Sequence, residues 1–251
     1  MGVIHLPPLP GSPRPSPGLD VVCERAVADA RALAAGGADG IIVENLGDVP
    51  FHPGRVAPYT VAAMTRVALA VRRAAPGPRL GINVLRNDAL SALSVAAAAG
   101  ADFIRVNVHA GAMITDQGLI QGEARGTLLE RASLAAPVAI AADVLVKHAV
   151  PLGDVRLEDA ARDTWERALA DVLIVTGAGT GRPTAPDDVA RVRRELPDAA
   201  LWVGSGATPD NVSALPAHGF VVGTWLHRDG DLSAPLDPAR VARMREAIDR
   251  G

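Results

Sequence analysis

Short apolar runs recur along the chain, each ending in polar residues or glycine and most followed by a stretch with helical spacing. Strands are predicted over residues 2–6, 41–43, 80–84, 103–108, 138–144, 172–175, 201–203 and 220–222. Between them, apolar positions spaced three and four apart predict helices over 19–35, 60–74, 89–99, 128–134, 157–169, 186–196 and 238–248, with a short one near Asn211. Gly36-Gly37 ends the first helix and Gly100 the third. Residues 7–17 are proline-rich and read as a rigid loop. Residues 111–126 are polar and glycine-rich, too long for a tight turn between strand and helix, and read as a loop of functional type. About eight strand–helix alternations without a linker predict one α/β domain over 1–251, a (β/α)8 TIM barrel rather than an open doubly wound sheet.

The chain has 251 residues, a length typical of such barrels. Hydrophobic residues make up 49% but aromatics only 3%, so the core must be built from Ala, Val, Leu and Ile. A net charge of −3 gives no polybasic surface, so neither nucleic acid nor anionic lipid is expected as a partner. The single cysteine, Cys23, rules out an internal disulfide and a paired-cysteine metal site, and a reducing cytoplasm is the expected location. No apolar run reaches the length of a membrane span, and the proline-rich start does not read as a signal peptide.

In a closed barrel the carboxyl ends of the strands converge on one mouth, and chemistry is expected there. Those ends carry His5, Glu44, Asn83, Arg105, Asn107, Asp143, Lys147 and Thr176. Glu44 and Asp143 are a candidate acid–base pair. Lys147 could form a Schiff base if desolvated, or hold a phosphate or an enolate. Arg105 and Asn107 share a strand face; if it is the lumen, the buried cation demands an acidic partner, with Glu44 and Asp143 available. A purely structural salt-bridge network fits the same residues. His5, Asn83, Arg105, Asn107 and Thr176 are candidate substrate contacts; Arg86 reads as an ion pair with Asp88, and His148 as a structural histidine. No two-histidine spacing supports a metal, and no cofactor is called for.

The last three strands each run into glycines: Gly177 and Gly179 after the sixth, Gly204-Ser205-Gly206 after the seventh, Gly223-Thr224 after the eighth. Bare amides on such loops suit a phosphate, though each could be a mere tight turn; three in succession favour the anion site.

Several motifs together resemble the BtpA/SgcQ family: G-V-I-H-L-P-P-L-P-G-S-P at the start, D-V-P-F (48–51), G-I-N-V-L-R-N-D (81–88), F-I-R-V-N-V (103–108), D-Q-G (116–118), A-D-V-L-V-K-H-A (142–149), T-G-A-G-T-G and G-S-G-A-T. The resemblance spans nearly the whole chain. It implies a TIM barrel akin to ribulose-phosphate-binding barrels. The family is named for photosystem I biogenesis in cyanobacteria, while other members occur beside sugar-metabolism genes. It carries no settled mechanism, so the residue roles above rest on the residues alone.

Two functions follow as expectations. One is an enzyme acting on a small phosphorylated sugar or related metabolite by aldolase, isomerase or lyase chemistry, with Glu44, Asp143 and Lys147 moving protons. The other is a non-catalytic assembly or regulatory factor that keeps a ligand pocket. Barrels of this kind often pair through exposed helices, so a homo-oligomer is compatible with either.

Overall fold

Successive side chains of a strand point to opposite faces, so every second residue of a barrel strand enters the lumen. That alternation organises the computed structural model, which describes residues 1–177 and 184–250. The first half comprises β1 (Gly2–His5), α1 (Leu19–Ala35), β2 (Gly40–Glu44), α2 (Pro58–Ala74), β3 (Arg79–Asn83), α3 (Ala89–Ala99) and β4 (Phe103–Val106). An antiparallel hairpin follows, β5 (Ala112–Thr115) and β6 (Gly118–Gln121), then α4 (Ala124–Ser133), β7 (Ala139–Val144) and the two-residue β8 (Val150–Pro151). The chain continues through α5 (Leu157–Arg162), β9 (Val172–Thr176), α6 (Pro186–Glu195), β10 (Leu201–Gly204), β11 (Gly219–Val221) and α7 (Pro238–Arg250).

Eight strands pair in parallel in the order β1-β2-β3-β4-β7-β9-β10-β11. The ring closes where Val3 N donates to Val222 O and Val222 N donates to Met1 O, both at 2.9 Å. Val3, Ile42, Phe103, Ala141, Ile174 and Val221 form an apolar plug in the lumen. Trp202 meets Phe103 edge-on, with ring centroids 5.4 Å apart. Gly81 makes that plug possible, because a Cβ there would lie 2.2 Å from Phe103 Cζ. The outward positions, such as Ile4, Ile41, Val43, Ile82 and Ile104, pack in the main core with residues of the surrounding helices.

The segment read as a loop at 111–126 is largely ordered structure. β5 and β6 pair from Ala112 with Gln121 to Thr115 with Gly118, and β8 adds a third strand. Met113 and Ile120 are buried on one side of it, while Ile114 and Leu119 are exposed. The helix expected over 157–169 is interrupted. Thr164 Oγ1 donates to Ala160 O at 2.7 Å, and Asp163–Arg167 widens into a π-turn that ends as Ala168 N donates to Asp163 O. A hydroxyl returned to the preceding turn competes with the backbone ladder in this way. The helix expected near Asn211 is a single 3-10 turn, Val212–Ala214.

Candidate functional site

Moving two residues along each strand from the apolar plug gives the next lumen layer. It reads His5, Glu44, Asn83, Arg105, Asp143, Thr176, Gly204 and Gly223. One parity therefore sets both the dry bottom of the barrel and the polar floor of its mouth.

Arg105 is the centre of that floor. Its Nη2 donates to both oxygens of Asp143 at 3.0 and 3.1 Å, and its Nε reaches Asp143 Oδ2 at 3.3 Å. Asn107 Nδ2 donates to the same Oδ2 at 2.6 Å, so three donor groups hold a carboxylate with no side-chain exposure. Arg105 Nη1 stands 4.0 Å from Glu44 Oε2, which also accepts from Asn83 Nδ2 at 3.1 Å. Burial alone would lower the Arg105 guanidinium, but Asp143 and Glu44 outweigh it and raise its pKa. Burial works to raise the Glu44 carboxyl; His5, Arg105, Lys147 and Asn83 overcome it and hold Glu44 below its usual range. The acidic partners expected for Arg105 are thus Asp143 at contact and Glu44 beside it.

His5 faces Glu44 from β1, with Nε2 3.5 Å from Glu44 Oε1. Its Nδ1 is 3.4 Å from His227 Nε2, and His227 Nδ1 lies 2.8 Å from Ala234 O. A carbonyl only accepts, so His227 Nδ1 carries the hydrogen and, in a neutral ring, Nε2 accepts from His5. Glu44 Oε1 also only accepts, so the single ring hydrogen of a neutral His5 serves one contact at a time, on Nδ1 toward His227 or on Nε2 toward Glu44. Burial pushes the His5 pKa down to about 4, despite the neighbouring carboxylate, so the ring is neutral at pH 7.

Lys147 follows β7 in a loop bent by Leu145 (φ 51°) and His148 (φ 57°). Non-glycine residues in this left-handed region cost energy, and such strain concentrates at functional sites. Burial, followed by the positive charge of Arg105, lowers the Lys147 pKa. No carboxylate among the described residues lies within ion-pair distance of its ammonium.

Two hollows meet at this floor, and Glu44, Arg105 and Lys147 border both. The first, about 210 Å³, opens beside β10, β11 and β1, where His5, Ser205, Gly206, Gly223 and Thr224 join its wall. Ser205 and Gly206 both have left-handed backbones, and the buried Ser205 Oγ has no hydrogen-bond partner among the described residues. Arg240 borders the same hollow from α7, its Nη1 donating to Trp225 O at 2.9 Å and its guanidinium 5.2 Å from the Trp225 ring. The second hollow, about 520 Å³, lies over β2, β3 and β4 and takes in Asn83, Arg86, Asn107, Asp116 and His148.

Of the residues singled out by sequence, His5, Glu44, Arg105, Lys147, Ser205, Gly206, Gly223 and Thr224 share the first hollow, while Asn83 and Asn107 line the second. Asp143 lies beneath, held by Arg105 and Asn107. Thr176, Gly177 and Gly204 are not in the wall of the first hollow, and Gly179 lies outside the described residues. Gly204 and Gly223 also have a packing role. A Cβ on Gly204 would crowd Ile174 and Thr176 at 3.1 Å, and one on Gly223 would lie 2.7 Å from His5 Cε1.

The expected Arg86–Asp88 ion pair does not form. Asp88 instead caps α3, accepting from Ser91 N at 2.9 Å and Ser91 Oγ at 2.6 Å, and also accepts from Val56 N. Sequence reading did not single out His227 or Arg240. His227 follows β11 closely enough to be sought at the mouth, whereas nothing local marks Arg240. Among the described residues no group of three or more His, Cys, Asp or Glu is arranged to hold a metal, and no helix is long and apolar enough to cross a membrane.

Closed ring, polar floor and glycine-lined hollow define a (β/α)8 barrel, with its candidate site at the carboxyl ends of the strands. Two solved barrels match it in fold. Phosphoribosyl anthranilate isomerase from Thermus thermophilus has a TM-score of 0.57 at 11% identity, over 89% of this chain and 94% of that one. The tryptophan synthase alpha chain from Legionella pneumophila scores 0.59 at 15% identity, over 100% and 92%. The chain belongs to the BtpA family, whose model matches residues 1–250. It is 48% identical to the photosystem I biogenesis protein BtpA of Synechocystis sp., over all of this chain and 88% of that protein.

Proposed function

We propose that the chain is an enzyme that binds a small phosphorylated sugar or related metabolite at the barrel mouth and transforms it by acid–base chemistry of the aldolase, isomerase or lyase type. The observation that carries this reading is one hollow bordered both by Ser205-Gly206 and Gly223-Thr224 and by Glu44 and Lys147. The first four residues offer backbone amides and hydroxyls to a phosphate, with Arg240 supplying charge. Glu44, kept ionised by its cationic neighbours, is the proton acceptor. The neutral His5 Nε2 beside it takes up or returns a proton in concert.

Lys147 has two roles open to it in this scheme. Its lowered pKa raises the fraction of free amine, which condenses with a substrate carbonyl to an iminium with loss of water; as an ammonium it stabilises an enolate. Asp143 serves by fixing Arg105 and Asn107, since both its oxygens are occupied. Phosphate-handling enzymes among the fold neighbours support the reading, as does an acid–base set richer than ligand storage needs.

Thermal unfolding with sugar phosphates and the parent sugars tests binding. Ligand at about 100 times its dissociation constant adds about 2.7 kcal/mol and raises Tm by several degrees. Stabilisation by phosphorylated but not by parent sugars is expected; no shift with any phosphate ester would overturn the reading. Turnover followed by phosphorus NMR then separates an enzyme from a ligand-holding assembly factor of the kind named in the cyanobacterial relative, which would bind without conversion. Borohydride trapping decides between the two roles of Lys147.

A further inference from the structure

From the second hollow we infer that the substrate is anionic at both ends, a phosphorylated sugar acid whose carboxylate is received by Arg86. This rests on the phosphate reading above and adds the opposite end of the molecule.

Arg86 is only 6% exposed, yet no carboxylate among the described residues lies within ion-pair distance of it. Among the described residues its one side-chain hydrogen bond is donated by Nη2 to Lys147 O at 2.9 Å, and the rest of its five N–H donors have no partner there. Burial lowers its pKa, and the nearby charges of Asp143 and Asp116 counter that without contact. A buried cation without a partner is costly, and burial is tolerated when a ligand supplies the missing charge. Guanidinium geometry favours a planar, bidentate acceptor, which a carboxylate is.

The same hollow contains a second unsatisfied group. Asn107 Oδ1 is buried with no hydrogen-bond partner among the described residues, while its Nδ2 is committed to Asp143. An acceptor held in that orientation suits a hydroxyl donor. Cation and acceptor together describe the end of a hydroxy acid. The sign of the charge agrees: Arg105 is neutralised by Asp143 beneath it, and Arg86, Lys147 and Arg240 outnumber Glu44 and Asp116 around the two hollows.

Calorimetric titration with D-gluconate 6-phosphate and D-glucitol 6-phosphate isolates the carboxylate, because the two differ only in their terminal carbon. The acid is expected to bind about tenfold tighter than the alditol, the strength of one charge-assisted bidentate contact. In Arg86→Gln that preference is expected to vanish, with glucitol 6-phosphate affinity unchanged within about twofold. Arg86→Lys, retaining the charge without the fork, is expected to keep part of it. Equal affinity of the wild-type chain for both compounds would overturn the inference while leaving the phosphate reading intact. Equal weakening of both by Arg86→Gln, in a chain whose circular dichroism is unchanged, would overturn it too. Binding of neither compound, nor of inorganic phosphate, would count against the phosphate reading itself.

Discussion

His5 Nδ1 and His227 Nε2 lie 3.4 Å apart although 222 positions separate the two residues in the chain. The contact crosses the seam where the barrel closes, and the Ala234 carbonyl fixes its polarity through His227 Nδ1. His5 is thereby held as a neutral ring between His227 and Glu44.

That geometry has a consequence for stability against pH. The His5 pKa falls from 6.5 to about 4 on folding, chiefly through burial, so the unfolded chain binds a proton between those values that the folded chain refuses. Stability from this group is complete above about pH 6.5 and is lost as pH falls toward 4, by about 3 kcal/mol in all. Urea unfolding of the wild-type and His5→Gln chains at several pH values across that window should show the variant with the shallower loss. Parallel curves would mean that His5 keeps its ordinary pKa in the fold.

A second expectation concerns Arg105 and Asp143. Removing one partner of a buried, fully hydrogen-bonded pair strands the other, at a cost of about 3–5 kcal/mol. Asp143→Asn should approach that loss in chemical unfolding, since Arg105 then faces an amide and has only Glu44 at 4.0 Å. Arg105→Met combined with Asp143→Leu should recover part of the stability, because neither ion of the pair is stranded, while Glu44 loses Arg105 and Asn107 Nδ2 loses its acceptor. A double variant as unstable as the sum of its parts would show that the ions are not coupled.

Much of this site could be read from the chain because barrel geometry converts strand position into place. His5, Glu44, Asn83, Arg105 and Asp143 each end or nearly end an apolar run, and the alternation of faces brings them to one floor. The two acids available to Arg105 followed from burial alone. Arg86 was harder: Asp88 two residues on offered a local partner, but the start of α3 claimed that carboxylate as its cap. The hairpin at 112–121 looked like a loop because its apolar alternation is short and broken by Asp116-Gln117-Gly118. The place of His227 just after β11 was its one local signal and Arg240 had none, because their partners, His5 and Trp225, are set by closure of the barrel and docking of α7.

The glycine at 223 can be read in two ways, as a bare amide for an anion or as room for a ring, and the second has a sharp test. A methyl group there would sit 2.7 Å from His5 Cε1, closer than real contacts allow. Gly223→Ala should therefore push His5 off Glu44 and cost about 1–3 kcal/mol, the usual penalty of overpacking. Shortening the ring should make the methyl harmless: Gly223→Ala in a His5→Ala chain should cost at least about 1 kcal/mol less than it does in the wild type. Unfolding free energies of the four chains give the coupling directly. Strict additivity would mean that the ring yields without cost and that glycine stands at 223 for its amide alone.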